Sequence, residues 1–304
     1  MPTSNATEKE IIAHFKNAGK VNYKGNDYEI KDLGKPKSAS KGEPKTDIYI
    51  LLSNGNKTHE LKISHKKSNA DFLENKISQE RAQQIFGKHW EEEIINLTST
   101  LKEKFNERPL IYKDKFRNTE RGSITLGWKF EIVNKPSGHL TGPLNLSSDQ
   151  IYNVYSGANL SDDKKNAYLD HSSNPIIPNS GVANYILIAD KVNSAQEVID
   201  SLIPIREYVD QNPHLYFTCK ALNYRTFSDK KMKYDGNRPL SVQVEWKIEA
   251  NKLTHKIIFD KPLTFNGTES ADHLINCLEI LSIKTTDDIN AENSDLKAVH
   301  QQEK

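Results

Sequence analysis

Residues 41–67 read KGEPKTDIYILLSNGNKTHELKISHKK, and the fold turns on this stretch. A β-rich run from Asp47 to Leu52 leads into Ser53-Asn54-Gly55-Asn56, a turn with the Asn-Gly signal, and His59 to Ser64 returns. This is the pattern of a β-hairpin. With Leu52 paired to Lys57 across a four-residue loop, Ile48 faces Leu61, Tyr49 faces Glu60 and Asp47 faces Lys62. Cross-strand partners share a face of the sheet. One face therefore collects Ile48, Ile50, Leu61 and Ile63 as core, and the other Asp47, Glu60 and Lys62.

Two carboxylates beside an apolar face repel each other, and a divalent cation relieves that repulsion most simply. Asp47, Glu60 and the Leu61 carbonyl offer the hard oxygen donors that Mg2+ prefers. Lys62 is then placed to orient or deprotonate a water, or to stabilise a phosphate. The stretch resembles the PD-(D/E)xK nuclease superfamily, with Asp47 as the first acidic residue and Glu60-Leu61-Lys62 as the (D/E)xK element; Thr46 rather than proline precedes Asp47. The resemblance spans residues 41 to about 86. Glu29-Ile30-Lys31, Glu74-Asn75-Lys76, Asp163-Lys164-Lys165 and Glu245-Trp246-Lys247 share the acidic-x-Lys spacing, so a solvated hairpin face is the competing reading.

Charge favours the site. Between Lys35 and Lys67 there are eight lysines against three acidic residues, Glu43, Asp47 and Glu60, a surface suited to flanking phosphates. Lys41, Lys45, Lys66 and Lys67 are the expected backbone contacts. A second basic run, residues 220–238 (KALNYRTFSDKKMKYDGNR), interleaves Tyr224, Phe227 and Tyr234 among cations. Lys220, Lys230, Lys231 and Lys233 suit phosphates, and Asn223, Arg225 and Arg238 suit base edges. An exposed lysine-rich loop is its plain alternative. Asp235 with Glu245 and Lys247 forms a second, poorer acidic set, because Asp235 sits in a loop.

The 304 residues suit one large domain or two modest ones. Net charge is +1, so nucleic-acid affinity has to come from patches rather than bulk charge. Cys219 and Cys277 lack zinc spacing and read as reduced core thiols. With no apolar run of membrane length and no leader-like start, the expectation is a cytoplasmic protein without membrane contact. P-loop, dinucleotide, nucleophile-elbow and HExxH patterns are missing.

Helices are expected at about 7–18, 71–86, 90–106, 148–155, 194–210 (broken at Pro204) and 271–281. Strands are expected at 21–32 (a small hairpin), 123–133, 185–189, 214–221, 240–248 and 253–259, with 34–42 as a basic loop. The fold class is α/β with a strand-rich C-terminal half: a nuclease core at 1–108, a recognition half at 109–283 and a disordered tail at 284–304. The resemblance implies a restriction-endonuclease-like core, a central mixed β-sheet flanked by helices. It also implies a Mg2+-dependent, sequence-specific endonuclease acting on duplex DNA, type II restriction enzyme-like, with a homodimer as the possible assembly. A non-catalytic DNA- or RNA-binding protein and a structure-specific repair nuclease are the alternatives.

Overall fold

The computed structural model describes residues 4–39, 42–170, 176–226 and 233–302. The chain divides into two units that interleave along the sequence: Met1–Leu73 with Asn145–Leu215, and Glu74–Leu144 with Tyr216–Lys304. Both mix helices with sheet, in keeping with the α/β class. Among the described residues no helix is long and apolar enough to cross a membrane.

In the first unit a six-stranded mixed sheet runs in the order Lys20–Tyr23, Asn26–Gly34, Ile48–Ser53, Thr58–Lys66, Tyr185–Ile188, Ile203–Pro204. Lys24 and Gly25 join the first pair, both at positive φ (52° and 78°), the two-residue turn whose twist matches its flanking strands. Ile48, Ile50, Leu52, Leu61 and Ile63 are fully buried with Ile11 and Phe15 of the N-terminal helix Ser4–Ala18 and Val198 of the helix Ala195–Asp200. The expected core face of the hairpin is thus the observed one. Tyr185–Ile188 lies parallel to the second hairpin strand, with Tyr185 beside Ile63 and Ile188 beside Lys66.

The hairpin register differs from the expected one by two residues. Ser53 pairs with Thr58, Leu51 with Glu60, Tyr49 with Lys62 and Ile48 with Ile63. The cause lies in the turn. Asn54 Oδ1 accepts the backbone N–H of Asn56 (3.3 Å) and Lys57 (2.9 Å), folding the loop within 54–57 rather than 53–56. A two-residue offset keeps every side chain on its face while sliding it along the strand.

In the second unit the main sheet follows the order Lys233–Tyr234, Leu215–Arg225, Ser123–Val133, Val242–Glu249, Lys252–Ile258. Its core holds Trp128, Trp246, Phe105, Phe130 and Phe217; Phe105 meets Trp128 edge-on at 4.8 Å. Gly127 (φ 148°) has to be glycine, since a Cβ there would stand 2.5 Å from the Val242 carbonyl oxygen. The closing helix Gly267–Ile280 starts at a reciprocal Asn266–Glu269 cap, four residues before the expected start.

Three other expectations fail. Residues 71–86 are not one helix: Phe72–Glu74 is a strand, and the helix Gln79–Phe86 begins where Ser78 caps it. The expected helix at 90–106 is two, Trp90–Ser99 and Lys102–Asn106. The stretch from Lys284 onward is ordered in its described part. Val299–His300 pairs in parallel with Ile111–Tyr112, and Ile289 is fully buried. Single anchors and caps such as Thr285–Asp288 hold it, which leaves no periodicity to read.

Candidate active site

The chain enters the first hairpin strand tightly held. Lys45 and Thr46 both donate their N–H to the Gly181 carbonyl, at 3.0 and 3.2 Å. Asp47 donates its own N–H to the Ile63 carbonyl (2.8 Å), and its Oδ2 accepts the N–H of His65 at 2.8 Å. The carboxylate thus takes up a strand donor just beyond Ser64, the residue next across from Asp47 when the Ile48–Ile63 pairing is extended by one. Burial pushes the Asp47 carboxyl above its ordinary range. Lys66 opposes that rise, Glu8 adds to it, and the His65 N–H and Lys35 oppose it.

Glu8, on the N-terminal helix, is 5% exposed and takes Lys35 Nζ on Oε2 at 2.7 Å. Lys35 follows the strand Asn26–Gly34, and its backbone is pinned by Asp170, whose Oδ1 accepts the Lys35 N–H (3.2 Å) and whose N–H reaches the Lys35 carbonyl (3.1 Å). Burial alone would lower the Lys35 pKa, but Glu8, Asp47 and Glu43 outweigh it and hold the ammonium above its ordinary value. Two carboxylates, from a helix and a strand start, thus share one electrostatic neighbourhood with Lys35 and Lys66. In the sequence next to them, the buried Thr7 Oγ1, Thr46 Oγ1, Ser64 Oγ and His65 Nδ1 have no hydrogen-bond partner among the described residues. Unpartnered buried polar atoms are costly and rare.

The other expected catalytic residues stand apart from Asp47. Glu60 accepts the Tyr49 hydroxyl at 2.7 Å, and its Oε2 lies 3.5 Å from Lys62 Nζ. Asn184 ties the same strand down, accepting the Lys62 N–H (2.8 Å) and donating to the Glu60 carbonyl (2.9 Å). Leu61 is fully buried in the core. Glu60 sits four strand positions from Ser64, about 13 Å along the chain at some 3.3 Å per residue. The structure therefore does not assemble Asp47, Glu60 and Leu61 as one set of metal ligands, and Lys62 faces Tyr49 rather than Asp47. The second acidic set fails too, since Glu245 stands opposite Lys256, Lys247 bonds Glu249, and Asp235 bonds Arg225 and Asn223.

Comparison with family models, curated proteins and solved structures finds no match for this chain. The site rests on its own chemistry. Glu8 and Asp47 are hard oxygen donors, and Mg2+ is commonly held by one or two carboxylates with waters and substrate oxygens completing its shell. Among the described residues no three His, Cys, Asp or Glu converge as metal ligands. Asp47 and Glu8 are the two carboxylates that would have to hold such an ion.

The expected DNA contacts divide. Lys66 belongs to the Asp47 neighbourhood, Lys67 is half-buried beside it in sequence, and Lys45 spends its ammonium on the Leu73 carbonyl at 2.9 Å. Lys220 Nζ lies 2.8 Å from buried Glu131, which also holds Lys129. Arg225 is paired with Asp235 and, at 3.0 Å, with Glu120. Asn223 is buried against Thr125 and Asp235. Lys220, expected on phosphates, and Arg225 and Asn223, expected at base edges, are thus engaged with the protein's own carboxylates. Arg238 is half-buried, and Lys233 lies on a short strand opposite Arg225. Lys41, Lys230 and Lys231 lie outside the described residues.

Sequence reasoning missed Glu8 and Lys35 and gave Lys66 only a phosphate-binding role. Ser64-His65-Lys66 carries the same x-Lys spacing as Glu60-Leu61-Lys62, but with serine where an acid was sought. The acid comes instead from a helix some 40 residues upstream of Asp47, which no local motif reveals.

Proposed function

We propose that the chain is a Mg2+-dependent nuclease hydrolysing phosphodiester bonds of duplex DNA, with Asp47, Glu8 and Lys66 as its catalytic residues. What carries the reading is the carboxylate of Asp47, fixed by the His65 N–H and acted on by both Lys66 and a second buried carboxylate, Glu8. Asp47 and Glu8 would hold the metal. Bound there, Mg2+ supplies Lewis-acid stabilisation of phosphoryl oxygens and a more acidic water. Lys66 sets a positive charge where negative charge grows on the phosphate and where an attacking water is to be oriented. The His65 N–H keeps Asp47 in one orientation, so no reorganisation is needed as the reaction proceeds.

Duplex DNA as substrate is favoured by the lysine excess between residues 35 and 67. Within that reading the PD-(D/E)xK resemblance carries over with Asp47 in its first acidic position and Lys66 in place of Lys62. A sequence-specific, type II restriction-like enzyme is the finer form of the proposal. The test is incubation of the purified chain with phage-sized DNA and Mg2+, followed by EDTA. Discrete fragments that stop forming with EDTA are the expected result. A smear means cleavage without sequence choice. Intact but gel-shifted DNA refutes catalysis and leaves a binding protein.

A further inference from the structure

Lys35 has no part in the chemistry above, yet it is ion-paired with Glu8. Its ammonium lies 2.7 Å from Glu8 Oε2, and Asp47 and Glu43 also act on it. The side chain is 30% exposed while the carboxylate it holds is only 6% exposed, so the ammonium reaches in from the rim. Its backbone is anchored by two hydrogen bonds with Asp170, which leaves the flexible four-carbon stem as the moving part. Two buried carboxylates without a cation between them are costly. Lys35 offsets that cost in the metal-free protein.

We propose that Lys35 is a resident counter-ion which a divalent metal must displace from Glu8, and which a phosphate of the substrate then accepts. This rests on the reading of Glu8 and Asp47 as metal ligands. A metal reaching Glu8 meets a carboxylate already neutralised, so in the absence of DNA it binds weakly. A polyanion at the rim offers the released ammonium a new partner. Metal and DNA then strengthen each other's binding through one side chain, and by linkage the coupling is the same in either direction. Lys35 is thereby a positioning residue that makes metal loading depend on substrate.

The experiment is calorimetric titration of the full chain with Mg2+ alone, with and without non-cleavable phosphorothioate duplex, for wild type, Lys35→Met, Lys35→Arg and Asp47→Asn. Without DNA, Lys35→Met is expected to bind Mg2+ about fivefold or more tightly than wild type, and the strengthening by duplex to shrink by a similar factor. Lys35→Arg, which keeps the charge, is expected to stay near wild type. Should Lys35→Met fail to fold, Lys35→Gln removes the charge while still donating to Glu8. Equal or weaker Mg2+ binding by the neutral variants, with binding lost in Asp47→Asn, overturns the counter-ion role and leaves the metal site standing. Mg2+ binding that Asp47→Asn does not weaken, or no binding in any variant, overturns both.

Discussion

Lys66 and Lys62 differ by four positions on one strand, and their alanine variants separate the observed register from the expected one. Lys66 acts directly on Asp47, whereas Lys62 faces Tyr49 and has Glu60 3.5 Å from its ammonium. Four strand steps move a side chain about 13 Å. An ammonium about 4 Å from a phosphoryl oxygen interacts by about 4 kcal/mol at an effective dielectric near 20, and one at about 13 Å by about 1.3 kcal/mol. Glu60 cancels much of the latter. Removing a donor that stabilises transition-state charge typically costs about 10²–10³-fold in rate. Lys66→Ala is therefore expected to slow cleavage by about two to three orders of magnitude. Lys62→Ala should stay within about threefold of wild type, since little of its field reaches the phosphate. The assay is single-turnover nicking of supercoiled plasmid at saturating Mg2+, with gel shifts in EDTA to show that binding survives. Equal losses in the two variants, or a wild-type rate for Lys66→Ala, would refute the register argument.

Asp47→Asn should stabilise the metal-free fold at neutral pH. Burial raises the Asp47 pKa above its ordinary 3.8, so the charged form opposes folding. Well below pH 3.8 the carboxyl is protonated in both states and the two proteins should melt alike. The advantage of Asn should grow as the pH rises from there through the folded-state pKa; thermal melts in EDTA across that range that stay parallel would contradict it. Truncation after Ile283 removes buried Ile289 and the pairing of Val299–His300 with Ile111–Tyr112. The loss should be at least about 2–3 kcal/mol from the isoleucine alone, and an unchanged urea midpoint would show the tail to be dispensable.

The hairpin was readable because alternation and an Asn-Gly turn are local signals, and its buried face is the one the sequence implies. Its register was not. The offset is decided by which N–H groups the Asn54 side chain captures, and both loops suit the same four letters. That small choice put Ser64 rather than Lys62 across from Asp47, with Lys66 as the lysine that acts on its carboxylate. Glu8 was illegible for a different reason: it is buried through packing of the N-terminal helix on a sheet whose fifth strand comes some 180 residues later. The basic run at 220–238 misled because composition does not show that Glu131, Asp235 and Glu120 already hold three of its members.

The strand that carries Ser64, His65 and Lys66 owes its outer edge to a distant part of the chain. Tyr185–Ile188 lies along it, the Ala189 N–H bonds the Lys66 carbonyl at 2.9 Å, and the His65 ring meets the Ala189 carbonyl at 2.8 Å. During synthesis these partners follow Lys66 by roughly 120 residues, which at about 5–20 residues per second is a delay of about 6–24 s. Through that interval the edge is open and Lys66 unbraced, so a nascent chain carries the acidic and basic groups without their final geometry. On the proposed function, competence is then withheld until more than half the polypeptide has emerged, a built-in lag for a protein whose substrate would be the cell's own kind of polymer.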